Sequence, residues 1–211
     1  TGSYYNSNKS EKKTVYPPGQ AWTLSYPLGL RFESTIDTLM LNYQRQAIPS
    51  LVTDAQALTG NYGTEGQTQL WFKRPMRSDF FFVDALDAWL PSASTQKVYN
   101  VYQPMTLASY NFGGGKDTNQ DRLRAMLAGN VNRRIGLNAS IDYLYSKGSY
   151  ENQAVKQLSY GLAGYYTGDR YEAQAYFYQF NSLNKENGGI TDDLYITDPA
   201  QLQGGVSKID A

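Results

Sequence analysis

The sequence predicts an all-β protein: an antiparallel up-and-down transmembrane β-barrel, present as an incomplete portion, behind an irregular or short-helical N-terminal segment. Three observations lead there. The composition holds 19 Tyr and 19 Gly but only 18% charged residues, a balance that suits strands, turns and aromatic girdles better than soluble helices. Residues 121–181 alternate strictly between apolar and polar, the period of a strand. Each alternating segment also matches the roughly 9–11 residues of a tilted membrane-spanning strand rather than the five or six usual in soluble proteins.

Lys plus Arg and Asp plus Glu balance at 19 each, so no net charge draws the chain to nucleic acid. His and Cys are both absent, which removes thiol chemistry, His-based acid–base catalysis and the commonest metal ligands. Mean hydropathy is −0.55. No apolar run approaches the roughly 18 residues of a spanning helix, so any membrane crossing must be made by strands.

Residues 1–21 are polar and close on Pro17-Pro18-Gly19, and read as a flexible lead-in. Ser34 to Tyr43 suggests a short capped helix that ends before Pro49. Residues 1–56 therefore form an N-terminal unit that plugs the lumen, lies beneath it or contacts a partner. Residues 57–211 supply barrel strands. Weaker β-like runs appear at Thr68–Lys73 and Met105–Phe112.

Four long strands follow. In the first, Leu123 and Leu127 share one parity, while Arg122, Arg124 and Asn130 share the other. After the turn Asn132-Arg133-Arg134, Leu137, Ile141, Tyr143 and Tyr145 alternate with Asn138, Ser140 and Asp142. A longer connection, Lys147–Gln153, leads to Leu158, Tyr160, Leu162 and Tyr166 opposite Gln157 and Ser159. After Thr167-Gly168-Asp169-Arg170, Tyr171 and Phe177 oppose Glu172 and Gln174. The connections alternate short and long, as periplasmic turns and outer loops do, and residues 182–211 read as an external loop.

On this pattern the pore-lining candidates are Arg122, Arg124, Asn130, Asn138, Ser140, Asp142, Gln157, Ser159, Glu172 and Gln174. The lipid-facing or interfacial candidates are Leu123, Leu127, Leu137, Ile141, Tyr143, Tyr145, Leu162, Tyr166, Tyr171 and Phe177. Arg122 and Arg124 facing Asp142 and Glu172 would set a transverse field that tunes ion selection, or would simply pair. Alternation alone fits a soluble sandwich equally well, with the apolar parity packed inside; strand length and loop rhythm favour the barrel.

Other patterns have plainer explanations. Asp117-Thr118-Asn119-Gln120-Asp121 mimics the start of a calcium loop, but Arg122 stands where Gly is needed and Ala128 where an acid is needed. A solvated turn is the better reading. Asp192, Asp193 and Asp198 fit ordinary loop punctuation beside Gly188-Gly189 and Pro199. Trp22, Trp71 and Trp89 are candidates for stacking on sugar rings. No catalytic residue, metal site or cofactor is expected.

Several segments, in order, resemble the putative porin family of Bacteroidota outer membranes. They are Asp37-Thr38-Leu39, Asn42-Tyr43-Gln44, Thr59-Gly60-Asn61, Phe80-Phe81-Phe82-Val83-Asp84, Asn130 to Arg134, Gly168 to Tyr171, and Asn187 to Asp193 with Tyr195-Ile196-Thr197. They span most of residues 28–198. The resemblance implies an outer-membrane barrel much longer than this chain, in contact with lipid and with other outer-membrane proteins as possible partners. The end, Ser207 to Ala211, lacks a closing amphipathic strand, in keeping with an N-terminal portion. The expected function is passive diffusion of small hydrophilic solutes or ions. The rivals are a β-rich surface module that binds glycans or proteins, and a plugged structural barrel.

Overall fold

The computed structural model describes residues 19–25, 28–36, 55–74, 81–90, 95–115, 118–148, 150, 152–186, 188–189 and 192–198. Of the helix expected over Ser34 to Tyr43, Ser34 instead ends a strand and residues 35–36 are irregular, while 37–43 lie outside the described residues, as does most of the 1–21 lead-in. Within the lead-in, Gln20 and Ala21 already belong to a strand.

The chain begins with β1 (Gln20–Leu24) and β2 (Arg31–Ser34), which pair antiparallel. Gly29 turns the hairpin at φ +66°, a conformation that favours glycine. Next come β3 (Gln56–Leu58) and β4 (Gly66–Thr68), a two-stranded antiparallel unit. The β-like run expected at Thr68–Lys73 is different: only Thr68 is strand, and Trp71–Lys73 is a 3₁₀ turn. Trp71 and Phe72 pack edge-to-face on each other, so their apolar character reflects a local aromatic pair. A single helical turn, α1 (Phe81–Asp84), precedes β5 (Val98–Asn100), which pairs with β1.

The long strands start at Met105. They are β6 (Met105–Gly113), β7 (Gln120–Asn130), β8 (Ile135–Lys147), β9 (Ala154–Thr167) and β10 (Glu172–Lys185). They form one antiparallel meander in the order β10-β9-β8-β7-β6. β6 and β10 stand at its edges, so the sheet is an open wall, not a closed barrel. β10 runs on past residue 182 because Ser182 and Asn184 keep the inward parity of the strand and stay paired with Gln157 and Val155. A second helical turn, α2 (Leu194–Thr197), follows. No helix among the described residues is long and apolar enough to cross a membrane.

The turns carry their own chemistry. Asn132 Oδ1 accepts from the amides of Arg134 and Ile135 at 2.7 and 2.8 Å, which closes the β7–β8 turn. Arg134 reaches Asp169 in the neighbouring β9–β10 turn at 3.0 Å. The 131–134 and 168–171 connections thus share one end of the wall. The 114–119 and 148–153 connections share the other. Gly114 (φ +86°) bends the first of these so closely that a Cβ would lie 1.5 Å from the carbonyl oxygen of Thr118.

One face of the wall is bare and the other is covered. Among the described residues the cover consists of β1 to β5 with the 59–66 and 85–90 segments, and two apolar clusters fix it in place. At the long-connection end, Ala88 and Trp89 pack on Leu144 and Val155. At the short-turn end, Trp22 and Val98 pack on Tyr165, while the Arg31 guanidinium lies 3.7 Å from the centre of the Trp22 ring.

Candidate functional site: the covered face of the wall

The register gives all ten pore-lining candidates the parity that faces the cover, although Glu172, at the end of β10, is exposed. Ser109, Arg124, Asp142 and Ser159 stand in one cross-strand row, and Met126, Ser140, Gly161 and Tyr178 in the next. The ten lipid-facing candidates point the other way or flank its turns. Leu127, Leu137, Leu162 and Phe177 are each more than half exposed. The chain therefore buries its polar parity and exposes its apolar one. A soluble sandwich would do the reverse.

The row positions determine which candidates meet. Arg122 Nε and a terminal nitrogen donate to both oxygens of Asp142, at 3.0 and 2.6 Å, in a two-point fork. Its other terminal nitrogen donates to the Tyr62 hydroxyl at 2.8 Å. The guanidinium also faces the Trp89 ring, 5.5 Å from its centre. Of the two arrangements open in the sequence, Arg122 and Asp142 take the direct pair. Glu172 stands apart, exposed beside the β9–β10 turn. Asn130 lies near the short-turn end, where its amide donates to Asn100 Oδ1 at 2.6 Å. Gln174 faces Tyr165 across the register at that same end.

The 59–66 loop is socketed into the wall. Gln157 Nε2 donates to the Gly63 carbonyl at 2.7 Å, and Asn61 Nδ2 donates to Ser146 Oγ at 3.0 Å. Trp89 Nε1 donates to the Thr64 carbonyl at 2.9 Å. Asn184 Nδ2 donates to Glu65 at 3.1 Å. Gly63 has φ +101°, and a Cβ there would lie 2.7 Å from Leu144 Cδ2. Only glycine lets this loop approach the wall so closely. The sequence singles out Asn61 only within the Thr59-Gly60-Asn61 segment and does not single out Tyr62 or Gly63; the spacing of Gly60, Gly63 and Gly66 is the available signal.

Of the three tryptophans weighed for sugar stacking, Trp22 is buried (1% exposed), Trp89 is buried, and Trp71 is open (77% exposed). Asp117 of the calcium-like stretch lies outside the described residues. Asn119 there donates to Asp121 at 2.8 Å, and Tyr110 donates to the other Asp121 oxygen at 3.0 Å. That is an ordinary hydrogen-bonded turn.

Between the two apolar clusters, at mid-height of the strands, the cover stands off the wall. A cavity of about 480 Å³ remains, lined by Trp89, Tyr99, Arg124, Asn138, Ser140 and Tyr178 among others.

An antiparallel meander with an apolar outer face and a polar, hydrogen-bonded inner face is the construction of an outer-membrane type barrel wall. Comparison with known families gives the same class: residues 21–210 match the family described as "Putative porin", and the chain belongs to it. No curated protein and no solved structure matches the chain.

Proposed function

We propose that the long strands form part of a β-barrel wall in a bacterial outer membrane, lining a passive route for small hydrophilic solutes or ions. No catalytic step or cofactor is involved. The observation that carries this reading is the inverted amphipathicity: apolar side chains outward, hydrogen-bonded polar ones inward. Strand length supports it. The 13 residues of β8 extend about 40 Å at ~3.4 Å per residue, and at a barrel tilt of about 40° they cover roughly 30 Å, enough for the ~25 Å apolar band. Lipid is then the partner of the outward face. Within that face the Tyr160 hydroxyl donates to Gln179 Oε1, one polar pair satisfied without water.

A second reading, a structural barrel filled by its own N-terminal portion, is favoured by the cover packed on the polar face. The readings separate in planar-bilayer recordings of the full-length protein. Stepwise conductance supports the porin; insertion without conductance supports the plugged barrel. A monomer soluble without detergent overturns both.

A further inference from the structure

We propose that the bare face binds a phosphorylated lipid headgroup at its long-connection end, through Lys147, Lys156 and Lys185, a proposal that rests on the reading of that face as lipid-facing. Strand alternation fixes where the three point. Lys156 is exposed on β9 between Val155 and Gln157, which are buried, so it shares the outward parity of Leu158, Tyr160 and Leu162. The registers bring the other two beside it. Lys147 of β8 and Lys185 of β10 both stand opposite Ala154 of β9. Two strand spacings separate them, roughly 10 Å, and the residue between them carries only a methyl group. Lys156 is two positions along β9 from Ala154, about 7 Å, in one row with Tyr145 and Leu183. Three ammonium groups thus share a patch the size of one headgroup.

Height on the strand identifies the occupant. From Tyr166, at the short-turn end, to Lys156 is ten residue steps of β9. That is about 34 Å at ~3.4 Å per residue, or roughly 26 Å along the axis at a tilt of about 40°. The apolar band of such a wall is about 25 Å tall. The lysines therefore stand at its outer boundary, where hydrocarbon gives way to headgroups and where Tyr143 and Tyr145 offer amphipathic rings. Among the described residues, none of the three lysines is in an ion pair. Asp121, one strand beyond Tyr145 in the row of Lys156, accepts from Tyr110 and Asn119, and Glu186 accepts from Asn184 at 3.4 Å. A lysine that only had to reach water could stand alone. Three grouped without a carboxylate repel one another until an anion neutralises them. The opposite end is built differently, with Arg134 paired to Asp169.

The test is a titration of diphosphoryl lipid A into the full-length protein in neutral detergent, read by native mass spectrometry, beside dephosphorylated lipid A and phosphatidylcholine. Diphosphoryl lipid A should bind saturably and at least about tenfold tighter than either, with the advantage shrinking as salt rises. Lys147→Gln, Lys156→Gln and Lys185→Gln combined should remove that advantage, since each lysine near an anionic lipid surface contributes roughly fivefold. Lys147→Arg, Lys156→Arg and Lys185→Arg combined should retain it. Arg133→Gln, in the short turn at the other end, should match the parent. Should the triple glutamine variant fail to fold, Lys185→Gln alone decides, with an expected loss of about fivefold. Equal binding of dephosphorylated lipid A, or full binding by the glutamine variant, overturns the site. Displacement of lipid A by an equal concentration of inorganic phosphate overturns the lipid as occupant. Ion conductance in a planar bilayer with no preference for the phosphorylated lipid overturns this site and leaves the porin reading intact. A monomer soluble without detergent overturns the lipid-facing reading beneath it.

Discussion

At the scale of single residues, the inner face is organised by Arg122. Its guanidinium makes two bonds to Asp142 and one to Tyr62, so it ties strand to strand and wall to cover at once. Lysine keeps the charge but cannot reproduce the fork. Arg122→Lys should therefore destabilise the folded protein by about 1–3 kcal/mol, the scale of lost hydrogen bonds to charged groups, read as a lower urea midpoint in detergent. An unchanged midpoint would mean that the pair contributes nothing net. Asp87 gives a pH prediction. Burial first, and the neighbouring Asp84 second, raise its carboxyl above the ordinary value. A raised carboxyl favours the protonated form in the fold. Its stabilising contribution is fully present below the ordinary aspartate value and is lost as pH rises through the elevated one. Asp87→Asn should raise the thermal midpoint at pH 7 and change it much less at pH 3. Equal shifts at both pH values would contradict this.

At the scale of elements, each long strand has two faces with different solvents. Leu162 sits mid-strand on the bare face of β9, opposite Ala139 and Phe177 in the register. If that face meets hydrocarbon, Leu162→Arg should cost roughly 2–4 kcal/mol in bilayer folding, as charges near the midplane of barrels do. The same substitution at Val131, in the exposed β7–β8 connection, should cost far less. Equal, small effects at both sites would place the bare face in water. The strands themselves were legible in the sequence because side-chain direction has a fixed period of two. Once the alternation from Leu123 to Phe177 is seen, the facing of every candidate residue follows. The short elements were less legible. β3, β4 and β5 have three residues each, too few for a period to emerge, and Trp71–Phe72 resembled a strand only because two aromatics adjoin.

At the scale of the whole molecule, the cover and the wall form one hydrogen-bonded body, held at both ends of the strands with a chamber between. The 59–66 loop should then behave as fixed structure rather than as a mobile plug. Three of its amides are bonded to backbone carbonyls: Thr59 to Glu65 at 2.9 Å, Thr64 to Asn61 at 3.1 Å and Gly66 to Ala85 at 2.8 Å. Hydrogen exchange on the full-length protein should find them protected to a degree comparable with β8 and β9, and Gly63→Ala should lower that protection selectively. Fast exchange in the parent would mean that the loop leaves the wall readily, and a gated route would follow.

The sequence by itself determined the long strands β7 to β10, their antiparallel order, their facing and the family resemblance, because these depend on local periodicity and turn chemistry. Only the tertiary structure decided that the polar face is covered, that Arg122 and Asp142 close on each other, and that a chamber stands between two apolar clusters. Gln157 and the Gly63 carbonyl it bonds are 94 positions apart. No local pattern encodes such a contact: it exists because the wall presents buried donors and acceptors that must be satisfied, and the cover brings partners to them.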